Sequence, residues 1–346
     1  MTRRDCALAL AALAGTGIAS AKQQDTTNQS NEEPPVIRVD VDLVNILFTV
    51  RQKHGGQLVP NLKKEDFSIF EDGKEQTIAQ FSRETDLPLT LGLLVDVSAS
   101  QTNLIEIERQ AASAFFQNVI RPKDEAFLIA FGKDTELLQD YTSSAKLLRS
   151  ALHELKGDES GPSMGGGSRL PPMTNPGPVP QSGNPKGTLL FDAVCLASDE
   201  KLKSEVGRKA LVLITDGEDQ GSYYSKDRAI ESAQRANAMV YSIYYVDTWF
   251  YRQYGMIGFG RGGGESDLRK MSDQTGGHVF TVDKHHTLED VFKEIQDEMR
   301  NQYAIGYRPS NGVRDGKFRK IEIRARDKEL VVQARKGYYA TPNDAA

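Results

Sequence analysis

Two apolar runs constrain the architecture of this 346-residue chain more than any other feature: KALVLITD at residues 209–216 and AMVYSIYYVD at residues 238–247. Neither alternates apolar with polar side chains. A strand with one wet face alternates, so these two are expected to be covered on both faces, as strands of a parallel sheet are. Apolar runs of this kind alternate with amphipathic helical patterns from Leu89 to Tyr303. Strands are predicted near 89–96, 125–131, 135–139, 209–215, 239–246 and 278–282. Helices are predicted near 103–119, 143–155, 189–203, 225–237, 265–275 and 287–302. The fold class is α/β, a doubly wound, mostly parallel sheet.

The flanks read differently. Upstream, VIRVDVDLVNILFTVRQ (36–52) alternates and is β-branched, and FSIFEDGKEQTIAQFS (67–82) reads as two strands joined by the hairpin signal Asp72-Gly73. Downstream, YAIGYRPS, FRKIEIRARD and LVVQARKGYYA read as strands again. Small isolated sheets are marginal. Residues 36–86 and 303–340 are therefore expected to pair into one β-sandwich flanking an α/β domain over 87–302, the alternative being two independent flaps. Two insertions interrupt that domain. Residues 157–187, rich in Gly, Pro and Ser, read as a flexible loop. Residues 247–264, DTWFYRQYGMIGFGRGGG, mix aromatics with glycines, which suits either a contact surface or a loop folded onto its own domain.

At the amino end, Arg3 and Arg4 precede an apolar stretch from Cys6 to Ile18 and the small residues Ala19-Ser20-Ala21. Residues 1–21 are read as an export signal, by a Sec or twin-arginine route, and the polar residues 22–35 as a disordered leader. The apolar run falls short of the roughly 20 residues that a spanning helix needs, so no stable membrane insertion is expected. A periplasmic or extracellular location follows. A net charge of -5 gives no footprint for nucleic acid. With Cys6 removed, Cys195 in FDAVCLA stands alone and reads as a buried apolar filler.

Chemistry is expected where the strand at 89–96 ends, in LVDVSASQT. Open α/β sheets bind ligands at the carboxyl edge of their strands. In an extended segment alternate side chains point the same way, so Asp96, Ser98 and Ser100 can converge. One carboxylate and two hydroxyls form an all-oxygen cluster, the donor type that a hard divalent cation takes. Thr188, in KGTLLFDAV, and Asp216, in VLITDGEDQ, stand at other strand ends of the same edge and complete a set. Plainer roles are open to each residue: Ser98 and Ser100 as caps of the next helix, Thr188 as a cap of its own, Asp216 as a turn former. Asp192 reads as a partner of the site or of its own helix, and Glu218 and Asp219 as supports behind the site or, the preferred reading, as solvated turn charges.

The arrangement Asp96-x-Ser98-x-Ser100, Thr188 and Asp216 resembles the von Willebrand factor type A domain and its metal-ion-dependent adhesion site. The β segments, with DFSIFEDGK and ARKGYYA, are similar to bacterial VWFA-related proteins described as acidobacterial type. The resemblance implies that these five residues hold Mg²⁺ or Mn²⁺ and that a partner carboxylate completes the coordination. The implied function is cation-dependent binding of a protein ligand or a subunit of an envelope complex. Two rivals are kept: an assembly subunit with a structural metal, and a metal-assisted hydrolase.

Other motifs fail on context. Gly161-Pro162-Ser163-Met164-Gly165 fits a nucleophile elbow but lies in a Gly/Pro-rich tract rather than between strand and helix. Gly258, Gly260 and Gly263 fit a dinucleotide fingerprint but stand too far from the preceding strand. His285 and His286 have no other His or Cys at a metal-ligand spacing and are read as preceding the helix that begins near Thr287. With no His base or Cys nucleophile beside the cluster, catalysis is not expected.

Overall fold

The structure is a computed structural model that describes residues 43–83, 87–157, 187–253 and 263–341. The signal (1–21), the leader (22–35), nearly all of the Gly/Pro-rich insertion with Ser163, and Gly258 and Gly260 lie outside the described residues.

The first strands are β1 (Val44–Gln52), β2 (Phe67–Glu71), β3 (Lys74–Gln76) and β4 (Ile78–Arg83). Asp72 and Gly73, both at positive φ (48° and 82°), form the two-residue turn between β2 and β3, as the twist of a tight hairpin requires. One strand was expected after that turn, and two are found. β3 pairs with β2, whereas β4 leaves at Thr77 for the other sheet of the sandwich. Gln76 holds this corner, its side-chain carbonyl accepting Ser310 N at 2.9 Å.

The central elements follow as β5 (Leu89–Asp96), α1 (Ile105–Val119), β6 (Glu125–Phe131), β7 (Thr135–Thr142) and α2 (Ala145–Leu152). After the insertion come α3 (Leu190–Leu196), continued by a wider helical turn to Leu202, then β8 (Arg208–Thr215), α4 (Lys226–Arg235) and β9 (Ala238–Tyr244). Next are α5 (Thr248–Gln253), α6 (Gly263–Thr275), β10 (Val279–Thr281) and α7 (Leu288–Arg300). His285 and His286 precede α7, which is capped by Thr287 and Asp290.

The central sheet runs β10-β9-β8-β5-β6-β7, parallel except for β7. The chain builds outward from β5 to β7, then returns to β8 and builds the other way. Strand order therefore reverses between β5 and β8, the crevice where doubly wound sheets receive ligands. Every residue of β5, β8 and β9 is buried, as double coverage predicts. Ile105, Phe116, Leu148 and Phe292, from α1, α2 and α7, pack on one face. Leu190, Ile230 and Leu268, from α3, α4 and α6, pack on the other.

The last strands are β11 (Tyr303–Tyr307), β12 (Phe318–Ala325), β13 (Leu330–Ala334) and β14 (Gly337–Tyr339). They complete two sheets, β13-β1-β11-β4 and β14-β12-β2-β3, each built from both ends of the chain. Independent flaps are excluded, because β11 lies between β1 and β4. The sheets share one core, in which Phe48, Phe67, Phe81 and Tyr303 stack. Tyr307 and Tyr338 both donate to Glu71 Oε2, at 2.7 and 3.0 Å, and so tie the two sheets together. Arg51 of β1 pairs with buried Glu298 of α7 at 3.0 Å and links the sandwich to the α/β layers.

Candidate metal centre

Asp96 is the last residue of β5 and is fully buried. Val97 N still donates to Phe131 O, extending the ladder with β6, but Ser98 N then donates to Asp96 Oδ1 at 2.9 Å. The chain turns around the carboxylate instead of staying extended. This turn brings Ser98 Oγ to 3.2 Å from Ser100 Oγ, and Ser100 Oγ donates to Asp216 Oδ2 at 2.7 Å. Asp216 follows β8, whose last residue, Thr215, donates its hydroxyl to Asp96 Oδ2 at 2.6 Å and accepts Gly217 N at 2.9 Å. Asp96, Ser98, Ser100 and Asp216 thus share one hydrogen-bonded cluster at the reversal of strand order.

Thr188 joins the edge by its backbone. Its carbonyl accepts Gln220 N at 2.9 Å, while the neighbouring Leu189 N donates to Gly132 O just after β6. Its side chain is buried, with no hydrogen bond found from its hydroxyl to the other four. The capping alternatives lose their support. α1 is preceded by Leu104 and α3 by Leu189, neither helix with a side-chain cap. Asp216 does shape its turn, since Oδ1 accepts Glu218 N at 3.1 Å.

The electrostatics are those of carboxylates without a counter-ion. Burial, and then the charge of Asp216, push the Asp96 carboxyl up to about 7. Burial with the charges of Asp96 and Asp216 holds Glu108, on α1, well above the usual range. Among the described residues, neither buried Glu108 oxygen finds a hydrogen-bond donor, and neither does Gln101 Oε1. Among the described residues, none of these three carboxylates pairs with Lys or Arg. Also among the described residues, no group of three or more His, Cys, Asp and Glu is arranged to hold a metal. The donor set relies on hydroxyls instead: two carboxylates and two serines, all oxygen, acceptor-rich and lacking positive charge. It fits a hard divalent cation.

Several contributors were missed. Tyr251 of α5 donates its phenol to Asp216 Oδ2 at 2.8 Å, and burial with the Asp216 charge pushes that phenol well up. Phe250 beside it is buried and Trp249 exposed, so the aromatic segment is partly folded inward and partly a surface. Asp219, read as a solvated turn charge, instead accepts Phe191 N at 3.2 Å and binds the Asp216 loop to α3. Asp192 does the same in reverse, accepting Tyr223 N and Tyr224 N, both at 2.9 Å. Gly217, at φ 79°, packs so close to Gly264 that a Cβ on it would meet the Gly264 carbonyl at 2.6 Å. Gly264, the second residue of α6, therefore serves packing. Cys195 is buried beside Ser232, and burial pushes its thiol up to about 11, as a filler's would be.

No family model and no curated protein matches the chain. Among solved structures it is similar to the conserved hypothetical protein BatB of Bacteroides thetaiotaomicron, at 15% identity over 61% of this chain and 97% of that one, with a TM-score of 0.42. It is also similar to proximal thread matrix protein 1 from the mussel byssus with a zinc-occupied MIDAS motif. The values there are 14% identity, 65% and 48% coverage, and a TM-score of 0.46. An aerotolerance-related membrane protein of Bacteroides fragilis carrying multiple mutations to serines gives 18%, 61%, 98% and 0.41.

Proposed function

We propose that this chain is an exported binding protein whose α/β part is a von Willebrand factor type A-like module. It takes a divalent cation, Mg²⁺ or Mn²⁺, and binds a protein ligand through an acidic residue of that partner. The reading is supported above all by the meeting of Asp96, Ser98, Ser100 and Asp216 where strand order reverses, with no Lys or Arg among the described residues paired to either carboxylate. Asp96, Ser98, Ser100, Thr188 and Asp216 would hold the cation. A bound cation supplies Lewis acidity, which neutral hydroxyl ligands leave little reduced, so a partner carboxylate is attracted. Ser98 N and Thr215 Oγ1 fix the Asp96 carboxylate from both sides. Asp96 and Asp216 supply the charge.

Binding is proposed rather than catalysis, because the hydrogen bonds of Asp96 and Asp216 run to hydroxyls and backbone amides, not to a His or Cys. Export rests on the amino-terminal segment. Among the described residues no helix is long and apolar enough to cross a membrane. The test is capture of envelope proteins on the immobilised chain with Mg²⁺, with chelator, and with Asp96→Ala. A partner held only by the Mg²⁺-loaded wild type supports the proposal. A partner retained equally in all three contradicts it and favours an assembly subunit.

A further inference from the structure

Asp216 carries one contact that the oxygen cluster does not supply. Its Oδ2 accepts two hydroxyl hydrogens, from Ser100 at 2.7 Å and from Tyr251 at 2.8 Å, while Oδ1 accepts Glu218 N. Two donors on one carboxylate oxygen occupy the lone pairs through which it would face a cation. Ser100 is short and rooted in the Asp96 turn, so a rotation about its Cα–Cβ bond frees Asp216 and leaves the hydroxyl in the cluster. Tyr251 has no such freedom. Its ring reaches in from α5, so its hydroxyl leaves Asp216 only if the ring or the whole helical turn moves.

The segment is anchored at its start. Asp247 Oδ2 accepts Asn103 Nδ2 at 2.7 Å, and its Oδ1 accepts Trp249 N and Phe250 N at 2.9 and 3.2 Å. Asp247 thereby ties the first residues of α5 to the turn that follows Ser100. Beyond this anchor, Phe250 packs inward and the Tyr251 hydroxyl reaches the oxygen cluster. Trp249, two residues away on the same short helix, is 62% exposed and is the only tryptophan in the chain.

We propose that Tyr251 is a removable cap on the cation site: with its hydroxyl on Asp216 the site is closed, and loading the site requires Tyr251 to leave. The inference rests on the cation reading of the cluster. The observed affinity is then the open-state affinity reduced by the fraction of chains that are open. Removing the hydroxyl removes a hydrogen bond to a carboxylate, and the strength of such bonds corresponds to roughly a ten- to hundredfold gain in cation affinity.

The test is titration of the full chain with Mn²⁺, for wild type, Tyr251→Phe and Asp96→Ala, followed by calorimetry and by Trp249 fluorescence. Circular dichroism confirms that each protein is folded. The cap predicts saturable binding by the wild type, tighter binding by Tyr251→Phe by roughly ten- to hundredfold, and loss in Asp96→Ala; a change in Trp249 emission would add that α5 moves with the ring. Equal affinity in wild type and Tyr251→Phe overturns the cap. Weaker binding by Tyr251→Phe also overturns it and makes Tyr251 a ligand. In both outcomes, loss of binding in Asp96→Ala leaves the cation reading intact. No binding by any folded protein overturns both.

Discussion

Asp96 holds its proton in the folded chain to about pH 7, because burial and the neighbouring Asp216 disfavour its charge. The unfolded chain releases that proton near pH 4. Between those values the folded state binds more protons, so stability falls as pH rises. From pH 5 to pH 8 in chelator, the wild type is expected to lose on the order of 2 kcal/mol more stability than Asp96→Asn, read from urea unfolding, a difference that includes the effect of the Asp96 charge on Glu108. His278, whose charged form burial disfavours, shifts stability the other way, but it is present in both proteins and cancels in the difference. Equal slopes would contradict the assigned burial of charge. Asp96, Ser98, Ser100 and Asp216 were legible in the sequence because hydroxyls and carboxylates at strand ends carry their own chemical signature. Tyr251 and Thr215 were not, since an aromatic in a Gly-rich stretch and a threonine closing an apolar run look like many others.

At the scale of elements, the tight contact between the Asp216 turn and the start of α6 sets the position of the oxygen cluster. A side chain on Gly264 would strike Asp216 O and the Gly217 backbone. Gly264→Ala is therefore expected to displace the Asp216 loop, with a loss of roughly 2–4 kcal/mol in stability and weakened cation binding. Unfolding and calorimetry measure both, and a variant with unchanged stability would contradict the packing. The main strands and helices were legible from periodicity, because double coverage and amphipathic stripes write directly into the chain. The split of one expected strand into β3 and β4 was not. Alternation continues through Thr77, and only pairing with different sheets separates the two halves. The short helix α5 was also missed, its six residues being too few to show a period.

In the whole molecule, the site forms only by contact between distant parts of the chain. Asp96 and Asp216 come from strands far apart in sequence, and those strands become neighbours because the chain returns across β5 to form β8. The sandwich was legible in outline, since both flanks alternate. That its two sheets each mix strands from both ends follows from long-range pairing, on which local pattern is silent. The most direct measurement is calorimetric titration of the metal-stripped full chain with Mg²⁺ and Mn²⁺ beside Asp96→Ala and Asp216→Ala. Saturable binding by the wild type, lost in both variants, is the predicted result. A folded wild type that binds neither cation, or variants that bind as it does, would contradict the cation site at the junction of β5 and β8.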